Sequence, residues 1–413
     1  MKSAGSVVVV LAVVCAVDGA NFWEFLVGPR LGNGTEEAAA ERGLTEQIVK
    51  TYGYRLDTHL VASETGHILT LHRIPRGRKW LDDAKRPVAF IHHGLFGCSD
   101  MWLLRGPQFD LPYILADSGY DVWLFNTRGN VYSRRHKFLD PDKDATYWDF
   151  GIEEMGNYDL PVTIDYILNI TNQQNLYFLG HSIGSSAGFI SCSLRPEYNK
   201  KIRLFLALGP LANVRHTLNP LHKIIFSMGS ALVQFIESMD IHEVLPRREY
   251  ASKLVKMACE DGSPLQKLCL MTIFSIVGDD FGELDTTTFP RFVRFYPAGT
   301  SLKVVANVIQ YYLSGEFARG DFGSAEANRV HYNSSTPPLF DLSKVTAPVS
   351  LHYGPGDLLV TQDDVDDLSK RLPNVVGKFK ISHKHFNHLD FVLAVNARCL
   401  LYDSLLRVMR KYR

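Results

Sequence analysis

The chain has no surplus of either charge: across its 413 residues, 44 Lys and Arg balance 44 Asp and Glu. Neither a basic run nor a basic stripe interleaved with aromatics occurs, so no long-range field would recruit nucleic acid. Cysteine is scarce, with 6 in all, and no Cys/His spacing fits a zinc site. His92 and His93 sit side by side in a strand-like run, where alternation should turn them to opposite sides and away from a shared metal. No metal or organic cofactor is therefore expected. Apolar runs long enough to cross a bilayer, ~20 residues, are also missing. Low-complexity tracts are few, and 46% apolar content marks a globular chain with one large core and an inserted subdomain, or two domains.

What is present begins with Lys2, the apolar run Val7 to Val17 and small residues at Ala16, Gly19 and Ala20, the layout of a secretory signal peptide over residues 1–20. An uncleaved signal anchor is the alternative, disfavoured by Asp18 and by the short run. After cleavage no transmembrane segment remains, and the destination is extracellular or lysosomal. Asn-X-Ser/Thr triplets at Asn33, Asn169 and Asn333 are glycosylation candidates on that route. Loss of Cys15 leaves Cys98, Cys192, Cys259, Cys269 and Cys399, an odd set with at least one free thiol. Cys259 and Cys269 flank the turn-like Asp261-Gly262-Ser263-Pro264 and are the expected disulfide in an oxidising compartment.

Short apolar runs at Val88–His92, Asp121–Phe125, Leu176–Leu179, Leu204–Leu208 and Val349–Tyr353, bounded by Gly, Pro or Asn, read as buried parallel strands. Their alternation with helical patterns predicts an α/β sheet with right-handed crossovers. Tyr54–Leu60 and His67–His72, around Glu64-Thr65-Gly66, predict an antiparallel hairpin at the sheet edge. Between Pro210 and Phe340 the strand rhythm stops, and helical stretches such as Leu221–Met239 and Leu302–Leu313 follow. That is too long for a loop. The expected division is a core over 21–209, a helical cap over 210–340, and the rest of the core over 341–413. A separate helical domain is the alternative, but it would deprive the sheet of its last strands.

Gly180-His181-Ser182-Ile183-Gly184 lies between the run Leu176–Leu179 and the small-residue stretch Ser185 to Ile190. Strand, sharp turn and helix would expose the Ser182 hydroxyl and aim it at a carbonyl, and the flanking glycines would avoid collision across the turn. In such a scaffold the acid and the base follow in the order Asp, then His. Asp357, after Gly354-Pro355-Gly356 and the run Val349–Tyr353, is the acid candidate. Asp363, Asp364, Asp366 and Asp367 compete, but beside Leu368 they read as the solvated, N-terminal part of a helix. His388, ahead of the apolar Leu389-Asp390-Phe391-Val392-Leu393, is the candidate base, whereas His383 and His385 look like exposed loop residues beside Lys384. Two backbone N–H groups should hold an oxyanion: that of Ile183, and that of Leu95 in Ile91-His92-His93-Gly94-Leu95-Phe96-Gly97. The latter could equally be only a tight strand exit.

The segments His93-Gly94-Leu95, Arg128-Gly129-Asn130, Tyr158-Asp159-Leu160-Pro161, Gly180 to Gly184, Arg195-Pro196-Glu197-Tyr198 and Asn387-His388-Leu389-Asp390-Phe391 together resemble the acid lipase family of gastric and lysosomal lipases. The likeness runs from about Thr45 to the C-terminus. It implies an α/β-hydrolase fold with an inserted helical lid, Ser182 as nucleophile, Asp357 as acid and His388 as base. It also implies hydrolysis of water-insoluble acyl esters, triacylglycerols or sterol esters, at a lipid–water interface. The chain departs from the common pattern at Ile183, where these lipases often carry glutamine, at Asn307, where a histidine is frequent, at Phe125, a usual glycine, and at Pro355. Two rival readings keep the fold: a catalytically silent lipid-binding or storage protein, and a carboxylesterase or peptidase acting on small soluble substrates.

Overall fold

The structure, a computed structural model, describes residues 45–79, 84–216, 220–247 and 259–413. The expected signal peptide, Cys15 and Asn33 lie outside them. The strands are β1 (Asp57–Ala62), β2 (His67–Ile74), β3 (Val88–His92), β4 (Asp121–Phe125), β5 (Arg135–His136), β6 (Leu176–His181), β7 (Ile202–Leu208), β8 (Glu243–Val244), β9 (Thr300–Ser301), β10 (Val349–Tyr353) and β11 (Val375–Lys380). The main sheet runs β1-β2-β4-β3-β6-β7-β10-β11, with β5 beside β2. The pairs from β4 to β11 are parallel, while β1 and β5 meet β2, and β2 meets β4, antiparallel.

Every residue of β3, β4, β6 and β10 is buried, which is why these strands read as unbroken apolar runs rather than alternating ones. Alternation decides which face each side chain fills. Phe90, Trp123, Phe178 and Phe205 enter one hydrophobic cluster, and their neighbours Ile91, Leu124, Leu179 and Leu206 enter the other. Helices Leu160–Thr171 and Ile183–Leu194 cover the first face, and helices Leu111–Asp117 and Asp403–Lys411 the second. The edge hairpin forms as expected, with Gly66 at its turn in a positive-φ conformation of 98°.

Between β7 and β10 none of the described residues joins this sheet. The segment instead carries helices Pro220–Ser238, Gln266–Val277, Phe289–Phe295, Leu302–Ser314 and Ala325–Tyr332, together with the two-residue ladder β8–β9. Cys259 and Cys269 are bonded at its centre, their Cα atoms 5.5 Å apart, within the usual span. Cys98 and Cys192 are buried free thiols and Cys399 an exposed one.

Sequence expectation fails at three places. Asp364 is not solvated. It is buried, closes a capping box with Thr361, and its Oδ1 accepts from the N–H groups of Arg215 and His216 at 2.7 and 2.9 Å. The carboxylate thus satisfies its own helix and the chain that leaves the sheet. His383 is not a free loop residue, since its Nε2 lies 2.6 Å from the buried Asp280. His92 and His93 do not diverge: β3 ends at His92, strand alternation lapses there, and the ring centroids are 5.4 Å apart.

Candidate active site

The carboxyl ends of β3, β6, β7 and β10 lie side by side, as the pairings His92↔Gly180, His181↔Leu208 and His352↔Leu208 show. In a parallel α/β sheet this edge is where loops from several strands converge. β6 stops at His181 and the next helix starts at Ile183, so Ser182 alone turns the chain, at φ 56° and ψ −121°. A non-glycine residue in that conformation is strained, and such strain persists only when the surroundings enforce it. Here they do. The Ser182 N–H is bonded to the Leu208 carbonyl at 3.0 Å. A Cβ on Gly180 would meet Gly184 and Ser185 backbone at 2.7 Å, and one on Gly184 would meet His92 at the same distance.

Asp357 and His388 reach the same edge from the loops after β10 and β11. His388 Nδ1 bonds Asp357 Oδ2 at 2.8 Å, both side chains being buried. The other carboxylate oxygen accepts from the N–H groups of Leu359 and Val360 at 2.8 and 2.9 Å. With both oxygens committed, the carboxylate orients the imidazole, with Nδ1 turned to Asp357 and Nε2 on the opposite side of the ring. The competing Asp363, Asp366 and Asp367 lie on helix Gln362–Arg371, where Asp366 and Asp367 make surface pairs with Lys378 and Lys370. His385 is exposed, as expected.

Ile183 is the first residue of its helix, so its N–H is one of the donors an α-helix leaves without an internal partner. Its side chain is buried in the core, and isoleucine offers no amide where the resembled lipases often carry glutamine. Leu95 lies on the loop after β3. That loop is braced by the Tyr296 hydroxyl, donating to the Leu95 carbonyl at 3.2 Å, and by the Ala298 N–H, donating to the Phe96 carbonyl at 2.8 Å.

His93 is a supporting residue that sequence reasoning left without a role. Its Nδ1 bonds the Gly94 carbonyl at 2.8 Å, and its Nε2 accepts from the Thr127 N–H at 3.2 Å. The first contact requires a proton and the second forbids one, so the ring is neutral. Burial pushes its pKa down to about 4. The signal was the His-Gly pair at a strand exit, but only the fold brings Thr127 to it.

Residues 45–106 match the family described as the partial alpha/beta-hydrolase lipase region, and residues 87–236 match the alpha/beta hydrolase fold. Human gastric triacylglycerol lipase is 36% identical, with 88% of this chain and 90% of that one covered. Human lysosomal acid lipase/cholesteryl ester hydrolase is likewise 36% identical, over 89% and 90%. The chain belongs to the acid lipase family. A solved structure from Sulfolobus solfataricus shares the fold alone, at a TM-score of 0.54 and 15% identity, covering 84% of this chain and 90% of that one.

Some of the acid lipase motifs build framework rather than site. Arg128 and Asp159 form a two-pronged ion pair at 2.7 and 2.5 Å with almost no exposure. At the departures from the family pattern, Asn307 Oδ1 accepts from the Ile152 N–H at 3.0 Å, and Phe125 packs on the His92 ring with centroids 4.7 Å apart. Both are positions of packing and capping.

Proposed function

We propose that this acid lipase family member is a serine lipase of the secretory pathway, hydrolysing carboxylic ester bonds of neutral lipids such as triacylglycerols or sterol esters. Ser182 is the nucleophile, His388 the general base and Asp357 the acid that orients it. The observation that carries the reading is the 2.8 Å bond from His388 Nδ1 to a carboxylate whose other oxygen is fully occupied, on the edge where the strained Ser182 turn emerges.

In the proposed cycle His388 Nε2 takes the Ser182 proton as Oγ attacks the ester carbonyl. The Leu95 and Ile183 N–H groups stabilise the negative charge that develops on the carbonyl oxygen. Protonated His388 then gives its proton to the departing alcohol, leaving an acyl-serine. Water, deprotonated by the same imidazole, releases the fatty acid and restores the hydroxyl.

The helical segment 210–340 is proposed as a cap over the site. Its helix Pro220–Ser238 turns Ile224, Met228, Leu232 and Phe235 outward, a stripe at helical spacing suited to a lipid–water interface. Asn169 and Asn333, both exposed, are the proposed glycan acceptors among the described residues.

A serine-directed phosphonate should label Ser182 and abolish hydrolysis of emulsified triacylglycerol, of sterol ester and of a short soluble ester alike. Ser185 and Ser186 are internal controls, being buried with hydroxyls committed to the Gly180 and Leu211 carbonyls. Labelling at either one with Ser182 untouched would refute the assignment.

A further inference from the structure

His181, the residue before the proposed nucleophile, is used by no step of that cycle, yet it touches most parts of the site. It closes β6 and is almost wholly buried. Its Nε2 bonds the backbone carbonyl of His388 at 3.0 Å. Its ring lies 4.9 Å from the His388 ring at an interplanar angle of 36°, and 5.6 Å from that of Phe391. Trp102 meets it edge-on at 6.1 Å. On the remaining side the chain carrying Leu95 presses against it, because a Cβ on Gly94 would come within 3.0 Å of His181 Nδ1.

A carbonyl only accepts, so the His181 proton resides on Nε2. Nδ1 is buried with no partner among the described residues, and the ring is held neutral. Burial, followed by the neighbouring His388, drives its pKa well below that of an ordinary histidine. Neutrality matters for a reaction that makes His388 cationic, since a charged ring 4.9 Å away would oppose that cation in a low-dielectric setting.

We propose that His181 is a positioning residue: it fixes the backbone and ring of His388 relative to Ser182 while remaining an uncharged surface against which the imidazolium forms. The inference rests on the triad reading. Its physical basis is that His181 ends a rigid strand and Ser182 is the very next residue, so a hydrogen bond from His181 to His388 ties the base directly to the nucleophile's own backbone. Small misplacements of a catalytic group cost rate steeply.

The test compares two variants of the full-length enzyme on a soluble short-chain ester. His181→Phe keeps a ring and loses the donor, whereas His181→Gln keeps an N–H donor and loses the ring. The Phe variant should lose about tenfold in kcat with KM unchanged, phosphonylation of Ser182 should slow in parallel, and the low-field proton resonance of His388 Nδ1–H should shift or broaden. The Gln variant should recover most of the rate and the resonance. Should His181→Phe not fold, His181→Met supplies a donor-free side chain in its place. Wild-type kcat in the Phe or Met variant overturns the proposal, as does an equal loss in the Gln variant and a donor-free variant that follows thermal stability. If the wild type shows no such resonance, or Ser182→Ala remains active, the triad reading itself falls and takes this inference with it.

Discussion

The sheet and the helical segment inserted between β7 and β10 hold different parts of the same site, by different means. Ser182 is held by the sheet: β6 and β7 flank its turn, and the glycines around it let strand and helix close together. The proposed acid, base and oxyanion loops lean on the insertion. The Val277 carbonyl, at the end of helix Gln266–Val277, accepts from the N–H groups of both Leu358 and His388 at 3.3 Å. Asn387 Nδ2 donates to the Gly278 carbonyl at 3.0 Å, and the Tyr312 hydroxyl to the Leu359 carbonyl at 2.9 Å. Tyr296 and Ala298 brace Leu95 and Phe96. The insertion is therefore a scaffold for three of the site's loops. Its outward stripe is a second property, on another surface.

The sharpest break in this comparison comes from a residue on a loop that the insertion braces through Leu358. Asp357→Asn should lower turnover by about 10⁴ with little change in thermal stability, because the amide would favour the wrong imidazole tautomer. Asp363→Asn should be nearly silent, and the reverse ranking would move the acid onto helix Gln362–Arg371.

Next in size is the seam. Gly278 has φ 108°, and a Cβ there would lie 2.1 Å from the Gly356 carbonyl oxygen. Gly278→Ala should displace the acid and base loops and cost on the order of 10² in kcat on every ester tested. Phosphonylation of Ser182 should slow by a similar factor while the sheet, followed by far-ultraviolet circular dichroism, stays intact. Unchanged kcat would show that the insertion does not position these loops.

Helix Pro220–Ser238 separates the two roles of the insertion at adjacent residues. Ile236 is 3% exposed and packs with Val244, Leu302 and Phe96, whereas Phe235 is 50% exposed. Ile236→Asp should destabilise by about 3 kcal/mol or more, through lost burial and a buried charge, and depress activity on long and short esters together. Phe235→Asp should leave the melting temperature nearly unchanged and lower activity on emulsified long-chain ester alone. Equal effects of the two variants would erase the distinction.

The smallest expected effect is on pH dependence. Asp390 bonds the Asn387 N–H at 2.6 Å in the loop carrying His388. Burial, with Asp280 and Glu283 close by, pushes its carboxyl pKa well up. The folded protein then binds a proton that the unfolded chain releases in the ordinary carboxylate range. The associated stability is complete below that range and is lost as pH rises through the raised folded value. Asp390→Asn should flatten this decline in urea-unfolding free energy. Buried His67, His92 and His352, each lowered to about 3, act oppositely: their stabilisation is present above the unfolded histidine pKa and fades on acidification. An Asp390→Asn decline as steep as that of the wild type would assign it elsewhere.

The strands and the two helices named from periodicity between β7 and β10 were legible because their apolar spacing is local: Leu221–Met239 and Leu302–Leu313 became Pro220–Ser238 and Leu302–Ser314. Gly180 to Gly184 was legible for the same reason, as each residue's task concerns its immediate neighbours. Asp364 and His383 were misread because their partners, the backbone of residues 215 and 216 and the side chain of Asp280, lie 148 or more and 103 positions away in the chain. By itself the sequence determined an alternating α/β order, a serine at a strand-to-helix turn, and a candidate acid and base ordered behind it. Only the tertiary structure decided that His93 is neutral, that His181 grips His388, and that Val277 ties two loops together. Each of these depends on a backbone carbonyl or N–H supplied by a distant segment, and since every residue type carries those same groups, no residue pattern announces them.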